Sequence, residues 1–210
     1  MKFFVMKAIL GGIIRCMKLA TFCILATTVL AAMSSAQSAP KFQVTPEVST
    51  IRFFVKSSIE LEGNFEKWDA TLTFTSPDVS TGVLDIKIQA ATVDTGSGMK
   101  DDKLKSKDFF DVKQDPLITF YSNKMTQTGP NTFQVPGTFT IRGVSKPETL
   151  VLTDNHDKTG FHDIKGVMAF DRKDFGMNSG IPFIKIADRV EVTIDIKAKR
   201  VSGSPLVYKQ

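Results

Sequence analysis

The chain has 210 residues, 42% of them hydrophobic and 23% charged, with 17 phenylalanines and two cysteines. That balance suits one ordinary globular domain and excludes a wholly disordered chain, a collagen-like fibre and a multi-pass membrane protein. The formal net charge of +5 invites a nucleic-acid partner, but its distribution along the chain removes most of that invitation.

Residues 1–36 carry Lys2, Lys7, Arg15 and Lys18 and no acidic residue. An apolar run from Leu19 to Met33 follows, then the small residues SSAQSA. A basic stretch, an apolar stretch and a small-residue exit make a secretory signal peptide. Ser34 and Ala36 suit the cleavage positions, so a cut after Ala36 is expected; Met17 would open a more compact leader of the same kind. The apolar run falls short of the roughly 20 residues that a spanning helix needs, so no stable membrane span is expected after cleavage. Loss of the leader leaves 23 basic residues against 22 acids, a net charge near +1. No long-range attraction to nucleic acid follows from that. Cys16 and Cys23 leave with the leader, so residues 37–210 hold no disulfide, thiol nucleophile or thiolate metal site.

Beyond the leader, period-two alternation dominates. Ile51, Phe53 and Val55 share one phase. So do Ala70, Leu72 and Phe74; Leu84, Ile86, Ile88 and Ala90; Phe133, Val135, Gly137, Phe139 and Ile141; Leu150 and Leu152; Ile164, Gly166, Met168 and Phe170; and Val190, Val192, Ile194, Ile196 and Ala198. Each run predicts a strand with one wet and one dry face, as in an antiparallel sheet laid on a core. Turn-forming clusters separate them: Ser76 to Gly82, Asp94 to Gly98, Thr128 to Asn131, Asp154 to Gly160 and Met177 to Gly180. The run from Met99 to Asp111 lacks alternation and predicts a short helix near residues 99–108 with an irregular exit. The fold class expected is all-β, one domain of about eight strands closed as a sandwich or barrel. A barrel of that size is filled by side chains or holds one small ligand.

Local motifs offer little catalysis. VDTGSG (Val93 to Gly98) matches the surroundings of an aspartic-protease carboxylate. That chemistry needs two carboxylates sharing a proton, so Asp94 would act only in a homodimer; an Asp-Gly turn is the simpler reading. His156 and His162 are the only histidines, with Asp154, Asp157 and Asp163 nearby. Two imidazoles and a carboxylate can hold a divalent metal, but DNHDKTGFHD reads first as a solvated hairpin. No GxSxG or Walker-type loop is present. Trp68 reads as core packing, a barrel-end cap or a stacking surface for a ligand.

Several segments together resemble the YceI-like family. They are GNFEKWDATLTF (Gly63 to Phe74), ATVDTG (Ala91 to Gly96), KDDKLKSKDFFDVKQDPLITFYS (Lys100 to Ser122), GTFTIRGVSKPETL (Gly137 to Leu150), FDRKDFGM (Phe170 to Met177) and RVEVTIDIKAKR (Arg189 to Arg200). The resemblance implies an extended, lipocalin-like antiparallel β-barrel, export to the periplasm, and an apolar tunnel for a long isoprenoid chain such as a polyprenyl or quinone tail. It implies no catalytic residue, cofactor or metal. The chain departs from the family's pattern at Ser57 and Ser58 and at Lys103, where relatives often carry histidine.

The function expected is thus that of a lipid carrier and not an enzyme, partnered by an apolar lipid and possible as a homodimer. Inward-phase residues expected to line the tunnel are Phe53, Val55, Leu72, Phe74, Leu84, Ile86, Ile88, Phe120, Phe139, Ile141, Leu152, Met168, Phe170, Ile194 and Ile196. Asp101, Lys105 and Arg142, in the family's polar segments, are candidates for a ligand's head group. The rival readings are a stress-related structural or scaffold barrel with a closed core and, remotely, the Asp94 protease.

Overall fold

The structure, a computed structural model, describes residues 38–58, 61–180 and 185–209. The expected leader and both cysteines lie outside the described residues. Among the described residues no helix is long and apolar enough to cross a membrane.

The chain forms one antiparallel sheet. Its strands are β1 (Lys41–Val44), β2 (Thr50–Ser57), β3 (Leu61–Phe65), β4 (Trp68–Thr73), β5 (Val83–Gln89), β6 (Val93–Asp94), β7 (Leu117–Ser122), β8 (Thr126–Gln127), β9 (Thr132–Ile141), β10 (Val144–His156), β11 (Phe161–Asp171) and β12 (Ile186–Ser202). Among the described residues eight of these run six residues or longer, and the short β1, β3, β6 and β8 account for the excess over the expected eight. Among the described residues one α-helix, α1 (Gly98–Lys105), lies where the alternation breaks. The hydrogen-bonded order is β4-β5-β7-β9-β10-β11-β12-β2-β3-β6, with β1 added to β12 and β8 to β9.

The sheet curls so that the expected dry faces point inward. Ile51, Phe53 and Val55 are buried, as are Leu84, Ile86 and Ile88, and Ile194 and Ile196. Two inward positions are glycines for a packing reason. A Cβ on Gly137 would lie 2.6 Å from the Tyr121 carbonyl oxygen and 2.7 Å from the Phe120 ring. A Cβ on Gly63 would lie 2.8 Å from the Phe53 ring. Each glycine lets an aromatic ring approach the backbone closely.

Phenylalanines fill one end of the curl. Phe53 packs on Phe65 and Phe110, and Phe139, Phe170 and Phe175 form a second cluster with centroids 5.0 to 5.3 Å apart. Phe109 and Phe110 come from the loop after α1, and Leu104 from α1 itself, so this segment caps that end. The buried Arg172 guanidinium secures the neighbouring loop. It donates to the carbonyls of Met177, Ser179 and Ala187 and pairs with Asp188 at 3.0 Å. Lys173 also bonds Asp188 and, with Arg172, holds that carboxyl below its ordinary range.

Candidate functional site

The interior is divided. Around the phenylalanine-rich end only about 70 Å³ of space remains, lined by Phe53, Val55, Ile88, Phe139, Ile141 and Phe170 among others. The other end holds a cavity of about 540 Å³, within the range of sites that take small molecules. No residue lines both. The long tunnel implied by the resemblance is therefore interrupted: six phenylalanines crowd the small space, whereas the large one is walled mainly by Ala, Val, Leu and Ile with Phe42, Trp68 and Phe74.

The expected lining residues separate accordingly. Leu72, Phe74, Leu84, Ile86, Leu152, Ile194 and Ile196 line the large cavity. Phe53, Val55, Ile88, Phe139, Ile141 and Phe170 belong to the packed end. Phe120 and Met168 are buried but border neither space. Trp68 is half-buried and lines the cavity.

The cavity reaches the surface along a seam. β1 pairs with β12 and β4 pairs with β5, and no ladder joins β1 to β4 among the described residues. Both strands line the cavity, and Phe42 meets Phe74 across the gap with ring centroids 5.8 Å apart. On β4 the inward residues Trp68, Ala70 and Leu72 are half-buried, whereas their β5 partners Ile88, Ile86 and Leu84 are buried. The exposure falls along that unpaired edge.

Asp101, Lys105 and Arg142 lie at the opposite, packed end. Asp101 accepts from the Thr95 amide at 2.9 Å and its hydroxyl at 2.7 Å, fastening α1 to the turn after β6. Arg142 sits in the β9–β10 turn with Gly143, both at positive φ as a two-residue hairpin of this type requires. Its guanidinium donates to the carbonyls of Gly176 at 2.5 Å and Lys107 at 2.9 Å. Lys105 is half-buried on α1. The Asp101 and Arg142 side chains hold the cap together, and none of the three residues lines the cavity.

The polar group at the cavity is one that the hairpin reading of DNHDKTGFHD left in solvent. β10 extends through His156, so the turn is confined to Asp157–Gly160. The Asp157 carboxylate closes it by accepting from the Thr159 hydroxyl and amide and the Phe161 amide, which keeps that carboxyl below its usual range. With the turn this tight, Asp154 keeps the inward phase of Leu150 and Leu152, and His162 keeps that of Ile164, Gly166 and Met168. Both are buried, at 7% and 5% exposure. The signal was present: each period-two run needed only to be carried one further step.

His162 Nδ1 lies 3.0 and 2.9 Å from the two oxygens of Asp154. Tyr208, from the C-terminal segment, donates its hydroxyl to Asp154 Oδ2 at 2.7 Å. Burial first, then the hydrogen bond and charge of Asp154, push the Tyr208 phenol well above its ordinary value, so it remains a donor. His156 stacks on Tyr208 at 4.4 Å, and the Phe42 ring meets His162 edge-on at 4.8 Å. Asp154, His156 and His162 also offer ligand atoms within 4.8 Å of one another. The Asp154 oxygens, however, already serve His162 and Tyr208, so a cation bound through them would have to displace those bonds.

Asp94, of the VDTGSG triplet, accepts from the Gly96 amide at 2.8 Å, with Gly96 at φ +72°. The triplet thus forms an aspartate-closed turn at a strand end.

Residues 42–198 match the YceI-like domain family. A UPF0312 protein of Pseudomonas syringae pv. tomato is 27% identical over 143 residues, 64% of this chain and 72% of that one. Among solved structures, BcnA of Burkholderia cenocepacia is 26% identical with a TM-score of 0.67, covering 74% of this chain and 99% of that one. A Campylobacter jejuni YceI protein is 27% identical with a TM-score of 0.57, covering 69% and 87%. A polyisoprenoid-binding domain from Saccharophagus degradans shares the fold at a TM-score of 0.58 and 10% identity, covering 77% and 99%.

Proposed function

Because the chain belongs to the YceI-like domain family, we propose that it is a periplasmic carrier for a long apolar lipid of the isoprenoid class, such as a polyprenyl or quinone tail. The observation that carries this reading is the cavity of about 540 Å³ walled mainly by aliphatic and aromatic side chains and opening along the β1–β4 seam. The likeness in fold to a polyisoprenoid-binding domain supports it. Each methylene removed from water contributes about 0.8 kcal/mol, so ten enclosed carbons supply a gross ~8 kcal/mol before ordering costs. Binding of this kind selects weakly for chain length, since nothing along a hydrocarbon fixes its register. The chemistry in view is enclosure rather than catalysis, and no covalent step is assigned to any residue.

The interrupted interior shortens the reading. The ligand occupies one half of the curl, and a longer tail emerges through the seam. The closed-core alternative describes the packed half alone.

Native mass spectrometry of protein recovered from its own host tests the proposal. An added lipid mass that disappears on solvent extraction is expected. A lipid-free preparation that also takes up no farnesol would overturn it. Export is tested on the same sample: the periplasmic fraction should yield a chain starting at Gln37, and recovery only from the cytoplasm with residues 1–36 attached would refute it.

A further inference from the structure

We propose that Asp154, His162 and Tyr208 form the head-group anchor of the cavity, and that the head group they take is an uncharged hydroxyl. This rests on the lipid-binding reading and goes further by naming the chemistry of the ligand's polar end.

Among the described residues five polar side chains are buried: Ser49, Ser122, Asp154, His162 and Arg172. Three are explained by the fold. Ser49 bonds the Thr45 carbonyl and the Lys197 amide. Ser122 is bonded to the Pro136 and Lys124 backbone. Arg172 holds its loop. Among the described residues the side chains of Asp154 and His162 bond no backbone group, yet both line the largely apolar cavity. His162 also lines a shallow outer hollow with His156, Arg200, Leu206 and Tyr208. It therefore stands in the wall between interior and surface.

A carboxylate can only accept hydrogen bonds, so the short contacts at Nδ1 fix the hydrogen on that nitrogen. Tyr208 donates to the same carboxylate and holds it in place. In the neutral imidazole this leaves Nε2 as an acceptor. Nε2 makes no hydrogen bond among the described residues, and it is not sealed off as Arg142 Nε is. An acceptor at the end of an apolar cavity recognises a donor. Among the described residues the basic side chains within ion-pair distance of Asp154 are His162 and His156, which carry no charge as neutral imidazoles, and no lysine or arginine stands there. An uncompensated carboxylate disfavours a phosphate or carboxylate head. A prenyl or fatty alcohol, or the hydroxyl of a reduced quinone, satisfies both conditions.

Three probes of matched hydrocarbon test this with the full chain: farnesol, farnesyl methyl ether and farnesane. Wild-type protein should bind farnesol about tenfold more tightly than the ether, the ratio of one well-made hydrogen bond. Asp154→Asn frees the imidazole to adopt its other tautomer, with Nε2 as a donor that an ether satisfies as well as an alcohol. The preference should then fall to about twofold or less, with farnesane binding unchanged. If that variant fails to fold, the ring-nitrogen NMR signals of wild-type His162 decide: Nε2 should shift on adding farnesol and stay in place with the ether. Equal uptake of alcohol and ether by wild type, a preference that survives Asp154→Asn, or an unmoved Nε2 overturns the anchor. Failure to take up any of the three probes overturns the lipid-binding reading as well, so the two failures are distinct.

Discussion

Ile86 and Ile88 offer a controlled comparison of the two halves. They lie two residues apart on the same face of β5, at 3% and 7% exposure. Ile86 lines the space of about 540 Å³ and Ile88 the space of about 70 Å³. Tryptophan at either position asks for the same added volume in surroundings that differ nearly eightfold in free space. Overfilling a packed core costs typically 1–3 kcal/mol, so Ile88→Trp should lose about 2 kcal/mol. For a domain of this size that lowers Tm by roughly 4–8 °C. Ile86→Trp should fall short of 1 kcal/mol in stability, a Tm change of at most about 4 °C, because the indole extends into open space. There it occupies the volume that a ligand needs, so farnesol uptake should be abolished. Ile88→Trp should keep its uptake once folded. The assays are urea or thermal melts and equilibrium binding of farnesol. Equal destabilisation of the two variants would show that the large cavity is not free space. Undiminished uptake by Ile86→Trp would show that the ligand lies elsewhere.

Arg172→Met removes a buried guanidinium that donates to three backbone carbonyls and should cost about 3 kcal/mol; a urea midpoint implying a loss under about 1 kcal/mol would contradict that role. Gly137→Ala forces a methyl against the Tyr121 carbonyl and the Phe120 ring, for an expected loss of about 1–3 kcal/mol. Gly129→Ala, whose Cβ would meet Thr132 at an ordinary 3.5 Å, should be nearly neutral by the same melt. Tyr208 titrates higher in the folded chain than its ordinary 10.0. The folded state therefore holds that proton more tightly, and the stability this contributes is present below pH 10 and lost as pH rises above it. Tyr208→Phe should lose stability at neutral pH yet show a shallower decline above pH 10, read as melting temperature against pH; an unchanged alkaline slope would refute the upward shift that burial and then Asp154 impose on the phenol.

The strands were legible because their cause is local. Period-two alternation in a run such as Val190 to Ala198 needs no knowledge of the partner strand, and those residues point inward as the pattern requires. The helix was legible for the complementary reason, since MKDDKLK offers no dry face at a strand period. The division of the interior was not, because it depends on which strands meet. Phe53, Phe139 and Phe170 lie far apart in the chain, and only the β9-β10-β11-β12-β2 order carries their rings to the same end. The burial of Asp154 and His162 was illegible for a different reason. Hydrophilic composition from Asp154 to Gly160 suggested a broad turn, when four residues close it and the strand phase on either side continues through polar residues. A polar residue on an apolar phase is unusual enough to mark a site.

The contrast between the two ends bears on how one small sheet can be both stable and hollow. A cavity withholds packing contacts from its lining, and that loss has to be offset elsewhere in a chain whose described residues include no cysteine. Phe53, Phe65, Phe110, Phe139, Phe170 and Phe175 concentrate the offset at one end, where aromatic packing is dense and the DFF loop, Arg142 and Arg172 close the ring of contacts. Mainly aliphatic residues, with Phe42, Trp68 and Phe74, an unpaired strand edge and one buried polar pair are left to the other end. The sheet is continuous through both. The packed end can thus fix the curvature and strand register that keep the hollow end in shape, with no side chain needed to fill it. On this view the absence of a large ring at Ala70, Leu84 or Ile86 is as much a determinant of function as the presence of His162.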